Sequence, residues 1–236
     1  MHTSQEVKNA FLRLGADLCG IASIDRFSGA PEGFHPRDVL PGAQSVIAIA
    51  KRFPTSTLRC ATTVPYTIVR NYLSAELDRI TCEFCSEMDR LGIDAVPTGA
   101  IGPTEVDTRT GRYRNILSAK HAAQAAGLGV IGRNTLLITP EYGNMVWLSA
   151  VVCELPLEPD PLMDTDYCGD CRLCAEACPV HAVGEPAMKQ SDCVAYAFGG
   201  ENGGEWKIKC YRCREVCPHC LGTKNSGSRL RGIPVT

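Results

Sequence analysis

Between Cys168 and Cys178 the chain reads Cys168-Gly-Asp-Cys171-Arg-Leu-Cys174-Ala-Glu-Ala-Cys178-Pro179, a C-x2-C-x2-C-x3-C-P run. That spacing lets three thiolates on one tight loop reach three irons of a cubane, while the fourth, before the proline, points to a second cluster. A partner motif is therefore required, and Cys210-Tyr-Arg-Cys213-Arg-Glu-Val-Cys217-Pro218 supplies it. By this logic Cys217 returns to complete the cluster of Cys168, Cys171 and Cys174, and Cys178 joins Cys210 and Cys213 on the other. The last ligand has two candidates: Cys193, alone after Asp192, and Cys220, just past Cys217. The spacing predicts two [4Fe-4S] clusters.

Competing chemistries fit less well. Structural zinc would use two C-x2-C pairs parted by a loop, without the C-x3-C-P ending. Disulfides suit short secreted chains that are Cys-dense throughout. Here nine of the 14 cysteines crowd into residues 168–220, and the opening Met1-His-Thr-Ser-Gln-Glu is polar rather than a leader. A reducing cytoplasm is the expected address. No apolar stretch approaches the ~18 residues a membrane helix needs, so no membrane partner is expected. A net charge of −2 gives no long-range pull toward nucleic acid. Lys207, Lys209, Arg212 and Arg214, around the second motif, read as a solvated rim beside anionic clusters.

The elements that must carry this chemistry follow from periodicity. Val7, Ala10, Phe11 and Leu14 sit at helical spacing within residues 4–14, ended by Gly15. Residues 17–23 and 45–50 read as buried strands, 68–91 as a long helix, 94–97 as a short strand and 116–126 as a helix closed by Gly127. Residues 135–139 and 145–152 flank Pro140-Glu-Tyr-Gly-Asn144, the turn chemistry of a hairpin. Pro156, Pro159 and Pro161 form a linker. The expectation is a mixed α/β (α+β) core over residues 1–160, its sheet flanked by helices, followed by a small ferredoxin-like double-cluster domain over 161–236. Metal binding should supply most of the folding free energy of the second part.

Gly127-Leu-Gly129-Val-Ile-Gly132 matches the dinucleotide fingerprint G-x-G-x-x-G. The fingerprint works only when a strand leads in and a helix leads out, because the helix N-terminus holds the pyrophosphate. Here a helix leads in and a strand leads out, so a nicotinamide role fails on context. The glycines still require sharp turning or close approach, either to a planar cofactor or to neighbouring backbone. Cys82 and Cys85 fall mid-helix and, with Cys19, Cys60 and Cys153, read as core rather than redox pairs. The five histidines show no H-x-x-x-H or H-E-x-x-H spacing, and no D-x-H-x-x-G offers one to cobalt.

Several segments in order resemble the catalytic core of epoxyqueuosine reductases and, more distantly, of reductive dehalogenases. They are Leu40-Pro-Gly-Ala-Gln-Ser-Val-Ile, Tyr66-Thr-Ile-Val-Arg70-Asn71-Tyr72, Ala126-Gly-Leu-Gly-Val-Ile-Gly-Arg-Asn134-Thr135 and Glu141-Tyr-Gly, ahead of the double cluster motif. The resemblance spans residues 5–220. It implies a nitroreductase-like core that binds cobalamin, with Arg70, Gly127, Gly129, Gly132, Asn134 and Thr135 as cofactor-binding residues, and it implies Cys193 as the eighth cluster ligand. Flavin mononucleotide is the rival occupant, since cores of this kind commonly hold one. The family's Arg-Asp-Tyr-His segment is Arg70-Asn71-Tyr72-Leu73 here, which loses its aspartate and histidine. Its catalytic aspartate corresponds to Asp107, or else Tyr113 takes that place if the loop before Gly127 does not absorb its extra residues.

The resemblance implies a two-electron reduction in which Tyr72 and Asp107 are the catalytic proton donors, fed by an electron donor such as a ferredoxin or flavodoxin. The substrate would be a small molecule or a protein-bound group. Family members continue into a helical-repeat region used for transfer RNA, whereas this sequence stops at Thr236, so transfer RNA is not expected as a partner. A non-catalytic electron carrier is the other functional class. Retention of the whole core favours the enzyme, since a carrier needs only residues 161–236.

Overall fold

The computed structural model describes residues 3–106, 108, 113–184, 187–200 and 204–225. Helix α1, Ser4–Leu14, starts at Thr3, whose side chain and that of Glu6 form a reciprocal capping box, and ends at Gly15 with φ 110°. Strand β1, Leu18–Ser23, follows. After the single turn α2, Pro36–Val39, comes β2, Ser45–Arg52. The long helix α3, Val64–Arg90, begins four residues before the predicted start because Pro65, in its first turn, has no N–H to leave unpaired.

Beyond α3 lie β3, Ala95–Pro97, and two-residue strands β4, Glu105–Val106, and β5, Tyr113–Arg114. Helix α4, Ala119–Ala125, leads into β6, Val130–Ile131, then β7, Leu137–Ile138, and β8, Val146–Cys153. The cysteine-rich part holds α5, Leu173–Glu176, α6, Gln190–Ala197, β9, Phe198–Gly199, β10, Lys207–Ile208, and α7, Arg212–Glu215.

The central sheet has the order β1-β2-β8-β3 with every pair antiparallel. Period two along β2 sorts its side chains onto two faces. Ile47 and Ile49 face α1 and α3 with Phe11, Leu77, Ile80 and Val151; Val46 and Ala48 face α4 with Ala122, Ala123, Ala150 and Val152. The α/β core is thus three layers, with the sheet between α1 and α3 on one side and α4 on the other.

Two expectations are corrected. The strand at 135–139 does not pair across Pro140–Asn144: β7 pairs back onto β6, and only the bridge Thr139↔Gly143 closes the later turn. This frees β8 to lie between β2 and β3. Cys60 and Cys82, expected in the core, are exposed, whereas Cys19 packs against the core and Cys85 and Cys153 are buried.

The linker is pinned rather than loose. Asp160 pairs with Lys8 Nζ at 2.6 Å and accepts from the Ile21 backbone N–H at 2.9 Å, and its carbonyl accepts from Arg26 at 2.7 Å. Among the described residues no helix is long and apolar enough to cross a membrane.

Candidate functional site

The two cysteine sets assemble as interleaved groups. Burial raises the Cys217 thiol, and Cys168, Cys174 and Cys171 raise it further, as like charges in reach of one another do. So Cys217 of the second motif sits among the first three cysteines of the first motif. Burial likewise raises Cys193, followed by Cys178 and Cys210, and it pushes Cys213 up to about 12, with Cys193 and Cys210 among its neighbours. Cys193, on α6, packs with Cys174, Cys178 and Cys213. Cys220 is 2% exposed in an apolar cluster with Phe53, Leu58, Tyr66 and Leu73, against which Cys217 also packs, and burial pushes it up to about 12. Among the described residues no three His, Cys, Asp or Glu side chains share the spacing of a single metal ion.

Local structure supplies N–H groups to the sulfurs. Asp166 accepts from the N–H of Cys168 at 2.9 Å and of Gly169 at 3.0 Å, turning the first cysteine loop. Those two bonds hold its carboxyl below the usual range. Burial would raise the Cys178 thiol, but N–H groups of Val183, Val180, Ala182 and His181 outweigh it, and the thiol is lowered. The Ala182 N–H donates to Cys178 Sγ at 3.2 Å. Such bonds orient ligands and tune clusters.

The turn between β6 and β7 joins the core to both sets. The Arg133 N–H donates to Cys168 Sγ at 3.2 Å, and its side chain donates to the carbonyls of Cys171 at 3.1 Å and Gly169 at 3.2 Å. Asn134 Nδ2 donates to the Cys213 carbonyl at 2.8 Å, while its Oδ1 accepts from the Leu136 N–H. Thr135 takes φ 63°, an uncommon conformation for a β-branched residue, and its hydroxyl meets Met188 Sδ at 3.3 Å. A cavity of about 300 Å³ opens beside this turn, lined by Gly132, Thr135, Ile138, Tyr167, Cys168 and Met188.

The remaining residues singled out from the sequence fall in three places. Gly127 and Gly129 do not face the cavity: a Cβ on Gly127 would stand 2.2 Å from the Pro161 carbonyl oxygen, and one on Gly129 2.2 Å from that of Ile138. Their smallness serves internal backbone packing. Asn134, 3% exposed, spends its amide on the cluster unit. Arg70, on α3, lies over the rings of Trp206 at 4.7 Å and Trp147 at 6.0 Å. Burial lowers its pKa, and its Nε and Trp147 Nε1 are both buried without an acceptor. Tyr72 is 60% exposed on the same helix. Asp107 lies outside the described residues, and for Tyr113 only the backbone, in β5, is described. Sequence reasoning missed Arg133, whose only signal was its place in the glycine turn, and it misplaced Arg214, which is 5% exposed rather than on a rim.

Residues 161–183 match the 4Fe-4S binding domain family. An epoxyqueuosine reductase from Gloeobacter violaceus is 33% identical over 230 residues, 91% of this chain and 69% of that protein. The chain belongs to the epoxyqueuosine reductase family. One from Listeria monocytogenes is 29% identical over 90% of this chain and 59% of its own length, so the chain spans 69% and 59% of these two relatives. The fold is shared with a crystal structure of epoxyqueuosine reductase carrying a tRNA-Tyr epoxyqueuosine-modified stem loop (TM-score 0.63, 22% identity, 92% of this chain and 64% of that one). It is also shared with a catabolic reductive dehalogenase (TM-score 0.70, 20% identity, 96% of this chain and 33% of that one).

That stem-loop complex overturns the expectation that transfer RNA has no part. The physical reason is that a net charge averages the whole surface, while phosphates are met locally. Arg212 is exposed and Lys207 and Lys209 are half-buried around the second motif, so basic groups are at hand despite the overall −2.

Proposed function

We propose that this chain is an iron–sulfur, cobalamin-dependent reductase that removes the epoxide oxygen of epoxyqueuosine in a transfer RNA stem loop. One set of ligands is Cys168, Cys171, Cys174 and Cys217; the other is Cys178, Cys193, Cys210 and Cys213. The observation that carries this reading is the β6–β7 turn, which bonds to both sets and borders a cavity beside Cys168. When bound, the clusters supply single electrons and the corrinoid a two-electron reductant.

Gly132 and Thr135 fit one edge of a flat macrocycle, since they line that cavity. Arg70 and Trp147 offer two unpaired buried donors to the amide acceptors that a corrinoid carries on its rim. Removing an epoxide oxygen as water takes two electrons and two protons. Tyr72 is the proton donor that α3 presents, with Asp107 the second. A reduced ferredoxin or flavodoxin in the cytoplasm is the fitting source of electrons.

A non-catalytic electron carrier is the second reading, and α3 supplies the observation for it. Leu73 is buried in the apolar cluster and Asn71 engages Arg70 through its side-chain oxygen, so neither stands in for a lost acid or imidazole. The test uses anaerobically reconstituted protein titrated with cobalamin and with flavin mononucleotide, then incubated with reductant and epoxyqueuosine-containing stem loop. The reductase reading expects micromolar cobalamin binding and loss of the epoxide. Absence of both, with eight irons in place, hands the function to the carrier.

A further inference from the structure

Arg133 belongs to the core by its place in the β6–β7 turn, yet it reaches into the cysteine-rich part with backbone and side chain alike. Its Nε donates to the Cys171 carbonyl at 3.1 Å and its Nη2 to the Gly169 carbonyl at 3.2 Å. Its backbone N–H donates to Cys168 Sγ at 3.2 Å. The next two residues of the turn bond elsewhere, Asn134 to the Cys213 carbonyl and Thr135 to Met188 Sδ.

The loop from Cys168 to Cys171 is therefore held from two sides. Asp166 takes its donors, the N–H groups of Cys168 and Gly169, and the Cys171 N–H closes back onto the Cys168 carbonyl at 2.7 Å. Arg133 takes acceptors, the carbonyls of Gly169 and Cys171. A guanidinium is a planar fork that can hold two acceptors at once, whereas an ammonium is a point charge. Fixing those carbonyls fixes the Cys168 sulfur against the Arg133 N–H, so the side chain preserves the bond that the backbone makes. An N–H on a ligand sulfur stabilises negative charge there, and cluster potentials respond to such bonds.

We propose that Arg133 is a positioning residue for the cluster that Cys168 and Cys171 share: it clamps their loop onto the core and raises that cluster's reduction potential. The proposal rests on the cluster reading given above, and it needs only that these two cysteines serve one cluster, whichever cysteine completes it. Reduction adds one electron and moves no proton, so the aligned N–H and the nearby cation both favour the reduced state.

The test is a dithionite titration of the reconstituted full chain, followed by electron paramagnetic resonance, for the parent, Arg133→Gln and Arg133→Lys. The wave to follow is the one that Cys171→Ser removes. Arg133→Gln should lower its midpoint by about tenfold in the reduction equilibrium, about 59 mV for a one-electron couple, and leave the other wave in place. Arg133→Lys keeps the charge but gives up the fork, so it should move the same wave in the same direction by a smaller step. Full iron with that wave unmoved or raised in Arg133→Gln overturns the proposal, as does an equal shift of both waves. A parent midpoint in Arg133→Lys assigns the effect to charge alone and overturns the clamp. If Arg133→Gln loses iron, the amount decides: about four irons left, with the followed wave absent, supports a clamp on one cluster. Loss from both clusters makes Arg133 a residue of the general fold and overturns the proposal. A parent protein with fewer than two clusters would defeat the cluster reading instead, and iron and sulfide analysis reads that separately.

Discussion

Gly129→Ala isolates the difference between a glycine kept for a cofactor and one kept for the fold. The cofactor reading of the G-x-G-x-x-G segment expects substitution at Gly129 to abolish corrinoid binding while leaving the protein intact. The structure expects the reverse. A Cβ at residue 129 would lie 2.2 Å from the Ile138 carbonyl oxygen, 2.9 Å from its carbon and 3.2 Å from Thr139 Cα. All three are backbone atoms of or beside β7, so no rotamer change relieves the contact. Gly129 is not among the positive-φ glycines, so the cost is the clash alone. Forcing atoms into packed space typically costs 1–3 kcal/mol, and a backbone contact this short belongs at about 3 kcal/mol. For a chain of this size that is a loss of roughly 6–12 °C in melting temperature. The assay is thermal unfolding of anaerobically reconstituted protein by circular dichroism, with Gly29→Ala as control, since a Cβ there meets nothing within 4 Å. A Gly129→Ala melting point within about 2 °C of the parent, with cobalamin binding lost, would refute the packing argument.

Other outcomes follow from the same contacts. Cys193→Ser should reduce bound iron from about eight to about four per chain, and Cys220→Ser should leave it unchanged; iron and sulfide analysis reads both, and the opposite pattern moves the ligand role to Cys220. Asn134→Ala removes bonds to Cys213 and Leu136 and should cost about 1–3 kcal/mol, seen as an earlier unfolding midpoint. Asp166 is depressed by its N–H partners, so its contribution is present above the unfolded value near 4 and is lost as pH falls through the lower folded value. Asp166→Asn should therefore lower the melting temperature equally at pH 6 and pH 8, and a penalty that changes between them would contradict the assignment.

Legibility in the sequence tracked how local the signal was. The cysteine motifs were readable because a cluster demands their spacing, and Cys193 was singled out only through the family resemblance because one isolated cysteine has no spacing of its own. Strands β1 and β2 were visible from apolar runs that the sheet buries on both faces. The β6–β7 pairing was not, since Pro140–Asn144 carries good turn residues and the competing partner for β7 lies upstream. Gly127 and Gly129 were correctly seen to need close approach, but the identity of what approaches is a tertiary fact. Arg214 looked like surface because charged residues mostly are. Its burial follows from contact with Asn144 and Phe53, which are distant in sequence.

The anchoring of Asp160 to Lys8, Ile21 and Arg26 has a kinetic consequence. Segments joined by a free linker ordinarily swing against each other, so passage between them waits on diffusion through solvent. Here the strap is fastened to Lys8, Ile21 and Arg26, so the cysteine-rich part is tethered where it leaves the core. Solvent viscosity should then slow the arrival of an external donor or a stem loop, and leave the transit of charge inside the molecule untouched.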